Sequence, residues 1–196
     1  MKQKTVIFLG PQGSGKGTQA NLITEYLCKV DPNRPVVDMQ TGRVFRELAK
    51  EDNATGRRVK GLLDDGKLIP DFLTQVIIIE EFTRRVTKES HITFDGFPRN
   101  IAQAKFLDEA LNFYNREDLV VVHLDTSDKV VRERLKGRGR IDDTDELINE
   151  RLRLYAEVTK PMIEYYKERS NTTFTQINGA LPIKTVTKNI IDALDI

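Results

Sequence analysis

The sequence predicts an α/β fold with a parallel sheet that carries helices on both faces. Three observations support this prediction. Short apolar stretches alternate with helical patterns along the chain. These stretches are runs of β-branched and aliphatic residues, as in strands buried on both faces. The first of them leads through a glycine-rich loop into a helix. At 196 residues and 39% hydrophobic content, the chain is long enough for one globular domain.

The individual elements follow from the periodicity of apolar residues. The first strand is predicted at "TVIFLG" (5–10), and a helix at 18–30 because Ala20, Ile23 and Leu27 recur at helical spacing. Further strands are expected at 36–39, 91–95, 119–125 and 173–178, with helices at 74–86 and 144–169 among them. The stretch 51–70 is more polar than its surroundings, so we expect it to project from the core.

Composition excludes several classes of protein. Lys and Arg number 31 against 30 Asp and Glu, so no overall field directs the chain to nucleic acid or to a membrane. Cys28 is the only cysteine, which rules out a disulfide framework and a cysteine zinc cluster and favours a place in the core. With no signal peptide or long apolar span, a cytoplasmic location is expected. His91 and His123 lie in or beside strands and are expected to be structural.

The glycine-rich loop reads "GPQGSGKGTQA" (10–20). Glycines allow positive φ and close approach to a ligand, and the first N–H groups of the next helix carry a partial positive charge. A G-x-x-x-x-G-K loop between a strand and a helix is typical of phosphate binding, with Lys16 reaching the β- and γ-phosphates. The hydroxyl that usually follows the lysine comes one residue later, as Thr18. The alternative is a glycine-rich turn without a ligand.

A second candidate group is "HITFDGFPRN" (91–100). Asp95 ends an apolar strand and is expected at the carboxyl edge of the sheet, where ligands of open α/β sheets bind. There it could hold magnesium through water. The turn at Gly96 and Pro98 would direct Arg99 into the crevice, where a guanidinium suits bidentate phosphate contact. Alternatively, Asp95 and Arg99 cap the turn or pair with each other.

A third candidate group is rich in arginine: Arg134, Arg138 and Arg140 are close in sequence, and Arg151 follows on a helix expected to start near residue 143. By itself this pattern is equally typical of a solvated helix face. Beside a phosphate loop it indicates phosphoryl transfer, in which the protein mainly surrounds developing charge with positive groups.

Several motifs in this order resemble the adenylate kinase family: "GPQGSGKGTQA", "TGRVFRELAKE", "GKLIPD", "DGFPRNIAQA" and "GRGRIDD" followed by "RL..Y...T.P.I.YY". The resemblance covers nearly the whole chain. It implies a single P-loop kinase domain over 1–196 with a five-stranded parallel sheet flanked by helices, an AMP-binding helical insertion at 40–69 and a minimal lid at 137–141. It also implies reversible phosphoryl transfer from ATP to AMP, giving two ADP, with Mg²⁺ accompanying ATP.

The resemblance also assigns roles by position. The residues that match the ATP site are Gly13, Ser14, Gly15, Lys16, Gly17, Thr18, Arg134, Arg138 and Leu181. Those that match the AMP site are Thr41, Gly42, Arg46, Lys67, Leu68, Ile69, Gly96, Phe97, Pro98, Arg99, Gln103, Arg140 and Arg151. The catalytic set is Lys16, Arg99, Arg138, Arg140 and Arg151, with Asp95 holding Mg²⁺ through water.

The chain departs from the family pattern at two places. Arg43 stands where the family usually has an acid that helps hold the magnesium's water shell, so Asp95 would carry most of that task. Only Gly139 separates Arg138 from Arg140, whereas the family normally inserts a loop or a longer, sometimes zinc-binding, subdomain. We therefore expect almost no lid, no structural zinc and poorer shielding of ATP.

Two other functions remain open at this point. A UMP/CMP kinase shares the phosphate machinery and differs in the base pocket, and a nucleotide-binding regulatory protein would hold ligand without turnover. The retained Lys16, Arg99, Arg138, Arg140 and Arg151 argue against the second. The sequence does not determine the oligomeric state, for which a monomer is favoured.

Overall fold

A computed structural model describes residues 2–116, 118–139 and 143–195. Within these ranges the strands are β1 (Thr5–Leu9), β2 (Val36–Gln40), β3 (His91–Asp95), β4 (Leu119–Asp125) and β5 (Thr172–Asn178). They form one parallel sheet in the order β2-β3-β1-β4-β5. The predicted α/β class and parallel sheet are confirmed, and no predicted strand boundary is wrong by more than one residue.

Helices connect the strands and cover both faces of the sheet. They are α1 (Lys16–Val30), α2 (Thr41–Leu48), α3 (Ala54–Asp64), α4 (Asp71–Arg85), α5 (Ile101–Phe113), α6 (Asp128–Arg138), α7 (Asp145–Leu154), α8 (Met162–Glu168) and α9 (Ile183–Leu194). A single π-helical turn at Tyr155–Thr159, called the π segment below, joins α7 to α8. No helix in the described ranges is long and apolar enough to cross a membrane.

Each face of the sheet has its own apolar core. On one face Ile7 and Phe94, which are register partners in β1 and β3, pack with residues of α4, α5 and α8. On the other face Phe8 packs with Ile23 of α1 and Ile190 of α9. Because the strands are parallel, all of them end at one edge of the sheet. The loops that follow β1, β2 and β3 therefore meet there.

Two expectations are wrong in detail. Cys28 is exposed because it follows Leu27 of the buried stripe by one residue, about 100° further around the helix. The helix predicted over 144–169 is interrupted at the π segment, where the Lys160 N–H donates to the Tyr155 carbonyl, five residues back, at 2.7 Å. Pro161 follows and has no N–H to continue the helical ladder.

The polar stretch 51–70 contains α3 and belongs to a small unit with a core of its own. Phe45 of α2, Val59 of α3 and Ile69 form an apolar cluster beside the main sheet. The approach of α3 to the end of α2 requires glycine at position 56, since a Cβ there would lie 2.2 Å from the Glu51 carbonyl oxygen. The division into an AMP-binding segment at 40–69 and a vestigial lid at 137–141 stays a prediction.

Candidate active site

The loop between β1 and α1 has the backbone conformation that its glycines predict. Gly10, Gly13 and Gly15 have φ values of 142°, 86° and 102°, in the left-handed region that side chains with a Cβ rarely adopt. Gly17 has a different role, because it lies in α1 and a Cβ there would come within 3.1 Å of the Asp95 carboxylate. Three glycines therefore shape the loop, and the fourth allows α1 to lie against the end of β3.

Lys16 folds back over this loop. Its Nζ donates to the carbonyl oxygens of Gly10 and Pro11 at 2.7 and 2.8 Å. Burial lowers the pKa of Lys16 from 10.5 to about 8, against the opposing effect of the Asp95 carboxylate and with a smaller contribution from Arg99. Lys16, Asp95 and Arg99 are thus close enough to interact electrostatically.

The turn after β3 holds Arg99 inside the site. Its Nε donates to the Gly96 carbonyl at 2.9 Å, and its backbone N–H donates to Gln103 Oε1 at 2.8 Å. Burial lowers the pKa of Arg99; Asp95 opposes this effect, and Arg151 and Arg46 add to it. Arg99 therefore stabilises the turn, as the alternative interpretation proposed, and also stands among other arginines.

The arginines of α6 and α7 meet at a carboxylate that sequence analysis missed. Arg138 donates to Asp143 through Nε at 2.9 Å and Nη2 at 2.7 Å, and Arg151 Nη1 donates to the same carboxylate at 3.0 Å. The Asp143 side chain is only 2% exposed. Arg134 lies nearer the loop and donates from Nη1 to the Ser14 carbonyl at 3.2 Å. Arg140, also predicted here, lies outside the described residues.

Lys16 and the arginines described above line one open cleft of about 1240 Å³ at the carboxyl edge of the sheet. The predicted site residues that line it are Gly13, Ser14, Gly15, Lys16, Gly17, Thr18, Gly42, Arg46, Lys67, Leu68, Ile69, Asp95, Gly96, Pro98, Arg99, Gln103, Arg134, Arg138, Arg151 and Leu181. The residues selected from the sequence thus come from distant parts of the chain, and the fold brings them together in one cleft.

Of the predicted site residues that the structure describes, two do not line this cleft. Thr41 is buried, and its hydroxyl donates to the Gly96 carbonyl at 3.0 Å. Phe97 is fully buried in the core between Phe94 and Phe106. The side chains at these two positions pack against the turn at Gly96 on its buried side and do not face the cleft.

The cleft is strongly cationic although the whole chain has a net charge of only +1. Its lining includes two aspartates, Asp64 and Asp95, and ten basic residues: Lys16, Arg43, Arg46, Lys50, Lys60, Lys67, Arg99, Arg134, Arg138 and Arg151. Such an excess of positive groups in a concave site attracts and binds polyanions. The arrangement fits a ligand with several phosphate groups.

Comparison with known proteins agrees with this arrangement. A family model described as adenylate kinase matches residues 8–171. The chain belongs to the adenylate kinase family. It is 39% identical over 185 residues to adenylate kinase 1 of Nostoc sp. (strain PCC 7120), covering 94% of this chain and 95% of that protein. It is 37% identical over 187 residues to adenylate kinase 1 of Synechocystis sp. (strain PCC 6803), covering 95% of each.

A third relative, the adenylate kinase of Prochlorococcus marinus (strain MIT 9515), is 35% identical over 189 residues, covering 96% of this chain and 97% of that protein. Membership of the adenylate kinase family confirms the resemblance predicted from the motifs. It also confirms that the chain is an enzyme of the transferase class that binds nucleotides.

Two residues of the motif "RL..Y...T.P.I.YY", Tyr155 and Thr159, were given no site role in the sequence analysis. Tyr155 and Thr159 enter the lining of this adenylate kinase cleft from the π segment. The Thr159 hydroxyl donates to the Arg99 carbonyl at 2.9 Å, and the Tyr155 hydroxyl lies 3.0 Å from His123 Nε2. Burial raises the pKa of Tyr155 to about 12. A π turn is common at functional sites, and the nearby Pro161 is its only sequence signal.

Proposed function

We propose that the cleft transfers the terminal phosphoryl group of ATP to AMP, reversibly, to give two ADP. The observation that supports this most directly is the arrangement of arginines around Lys16. Arg134 and Arg138 approach from α6 on the loop side, Arg46 approaches from α2, and Arg99 approaches from the turn after β3. Two groups of basic residues suited to binding phosphate therefore adjoin one lysine and one aspartate. A donor and an acceptor nucleotide would meet at that point.

In this proposal the loop from Gly13 to Thr18 holds the phosphates of ATP through backbone N–H groups at the start of α1. Lys16 leaves the carbonyls of Gly10 and Pro11 and binds the phosphoryl group under transfer. Arg99 and Arg46 bind the phosphate of AMP. The side chains act by position and charge, because phosphoryl transfer requires little proton or covalent chemistry from the protein.

The site also fits a magnesium ion bound with ATP. In the described part of the chain no three His, Cys, Asp or Glu side chains are grouped as a protein metal site. Magnesium with a nucleotide needs no such group, since it is commonly held by one or two carboxylates together with phosphate oxygens and water. Asp95, beside Gly17 and Lys16, would hold it through water. When bound, the ion neutralises charge on the phosphates.

We further propose that the segment 40–69 closes over AMP and that the lid at 137–141, of which residues 140 and 141 lie outside the described residues, is vestigial. The separate apolar cluster of Phe45, Val59 and Ile69 supports the first part, because a segment with its own core can move as a unit. Gly139 ends α6 with φ 65°, which supports a tight turn after Arg138. A turn of this size would cover less of ATP than a subdomain.

The choice of acceptor base is the most direct test. Gln103 is held by Asp71, whose carboxylate accepts from Nε2 at 2.8 Å, and by the Arg99 N–H at Oε1. A fixed amide has one donor and one acceptor position left for a base, and a pocket that hydrogen-bonds its ligand rejects bases that leave polar groups unpaired.

A coupled assay with ATP should therefore give a kcat/KM for AMP at least ~10² times that for UMP or CMP. A preference for either pyrimidine nucleotide would assign the chain to the UMP/CMP kinases. Tight nucleotide binding with no ADP formed from any acceptor would indicate a regulatory binding protein. The comparisons favour neither alternative, since the relatives cited above are all named adenylate kinases.

A further inference from the structure

Arg43 is a cleft residue to which neither the motifs nor the proposed mechanism gives a task. It lies in the first turn of α2, between Gly42 and Arg46, and all three line the cleft. Residues three apart on a helix share a face, so Arg43 and Arg46 stand one above the other on the same side of α2. Where Arg46 faces a phosphate, Arg43 is placed to reach the same ligand.

The surroundings of Arg43 contain a carboxylate that is unusual for a strand interior. Asp38 of β2 accepts hydrogen bonds from the Thr93 hydroxyl at 3.2 Å and from Gln40 Nε2 at 2.8 Å. Asp38 and Arg43 line a small cavity of about 30 Å³ beside the main cleft. Burial raises the pKa of Asp38, whereas Arg43 lowers it and Asp95 raises it slightly.

The strand register locates Arg43 with respect to the reacting groups. Gln40, three residues before Arg43, is the register partner of Asp95, and Arg43 and Asp95 both line the cleft. Arg43 thus lies on the side of the cleft that holds Asp95, and it adds a positive charge to that side. An arginine there opposes binding of a cation and favours binding of phosphate oxygens.

We propose that Arg43 is an additional phosphate-binding residue of the nucleotide site, which shares the small cavity with Asp38 in the free protein and turns to the phosphates when nucleotide binds. The inference rests on the proposed function. Arg43 takes over part of the charge neutralisation that magnesium supplies. The protein should consequently bind metal-free ADP well and bind the metal less tightly than a site with a second carboxylate in place of the arginine.

The first experiment measures ADP binding in EDTA by titration calorimetry, without turnover. Arg43→Ala should weaken binding of metal-free ADP by about tenfold, the loss expected when one charge-assisted hydrogen bond is removed. Arg57→Ala is the matched control, because Arg57 is an exposed arginine of α3 that pairs with Asp52 and does not line the cleft. It should bind ADP as the parent does.

The second experiment measures Mn²⁺ binding to the ADP complex by electron paramagnetic resonance. Arg43→Asp should raise the Mn²⁺ affinity severalfold, since an anion replaces a cation on the side of the cleft that holds Asp95. Asp38→Asn keeps Arg43 intact and removes the nearby negative charge that attracts it away from the phosphates, so metal-free ADP should bind more tightly than to the parent. This variant tests the proposal even if substitution of Arg43 weakens the fold.

If Arg43→Ala binds metal-free ADP within twofold of Arg57→Ala, or if Asp38→Asn leaves ADP binding unchanged or weaker, the proposal is overturned and Arg43 only balances the charge of Asp38. Failure of the proposed function gives a different result. The parent would then bind ADP and respond to Arg43→Ala, but would form no ADP from ATP and AMP.

Discussion

Replacement of Lys16 by methionine should make this protein more stable and nearly inactive. The pKa of Lys16 falls from 10.5 to about 8 on folding, chiefly because the ammonium is buried. At about 1.4 kcal/mol per pKa unit, its charge costs the folded state about 3 kcal/mol at neutral pH. Methionine removes that cost but also the hydrogen bonds to the Gly10 and Pro11 carbonyls. If each of these two hydrogen bonds contributes about 1 kcal/mol net, the variant gains about 1 kcal/mol in the free energy of unfolding, or about 2–4 °C in Tm.

The pH dependence of this effect has a definite sign. Below about pH 8 Lys16 is protonated in both folded and unfolded protein, and the full cost of its charge is present. Between about 8 and 10.5 the unfolded chain binds more protons than the folded one, so the stability of the parent rises with pH. The Tm advantage of Lys16→Met should therefore be largest near neutral pH and should shrink above pH ~8.

Activity should change in the opposite direction. A positive side chain that contacts the transferred phosphoryl group raises turnover by roughly 10³-fold or more. Turnover of Lys16→Met should therefore fall by at least that factor. In the parent, kcat/KM should fall above about pH 8 as Lys16 of the free enzyme loses its proton. The fall in kcat should come at higher pH, because bound phosphates favour the charged lysine.

The assay is a coupled measurement of ADP formation beside thermal melts from pH 6 to 11. Lys188→Met is the matched control, since Lys188 is an exposed lysine of α9 paired with Asp192. Turnover of Lys16→Met near that of the parent would refute the proposed role of Lys16. A variant that loses activity and also melts several degrees lower at pH 7 would refute the reasoning from burial.

Two further predictions concern the arginine cluster and the turn beside it. Asp143→Asn should lower the free energy of unfolding by about 2 kcal/mol, or Tm by about 4–8 °C, because Arg138 and Arg151 lose the carboxylate they share. Addition of ADP should restore part of this stability. A Tm equal to that of the control variant Asp192→Asn would contradict the prediction. Gly139→Val should lower ATP-dependent turnover more than AMP affinity, since φ is 65° there and valine resists that conformation. Asparagine adopts positive φ more readily than valine, and in the described part of the chain no atom beyond the adjoining residues lies within 4 Å of a Cβ at position 139, so Gly139→Asn should retain activity. The KM values of Gly139→Val for ATP and for AMP measure this effect separately. An equal rise in both KM values would count against a role of Gly139 at the ATP site.

The site features that could be read from the sequence are those that depend on local backbone chemistry. Gly10, Gly13 and Gly15 mark positive φ because only glycine adopts it at little cost. A strand before the loop and a helix after it follow from apolar periodicity, and they carry Lys16 to the start of α1. Asp95 could be placed at the carboxyl edge because the end of a strand is visible in the chain itself.

The tertiary structure decided the features that depend on partners far apart in sequence. Asp143 could not be recognised as the shared partner of Arg138 and Arg151, because one more aspartate in a charged stretch has no local signature. The orientation of Thr41 could not be predicted for a similar reason. Its hydroxyl donates to the Gly96 carbonyl, 55 residues away in sequence, so the side chain is buried and does not face the cleft.

The same reasoning applies to the π segment and to Arg43. Helical periodicity continues through Tyr155 and Thr159, so the sequence by itself predicts a plain helix, whereas the packed chain inserts a π turn that brings both into the cleft. The charge on Arg43 is visible in the sequence, but its proximity to Asp38 depends on how α2 packs against β2. Local chemistry determines which conformations and charges a segment can supply, and only packing determines which of these groups face one another.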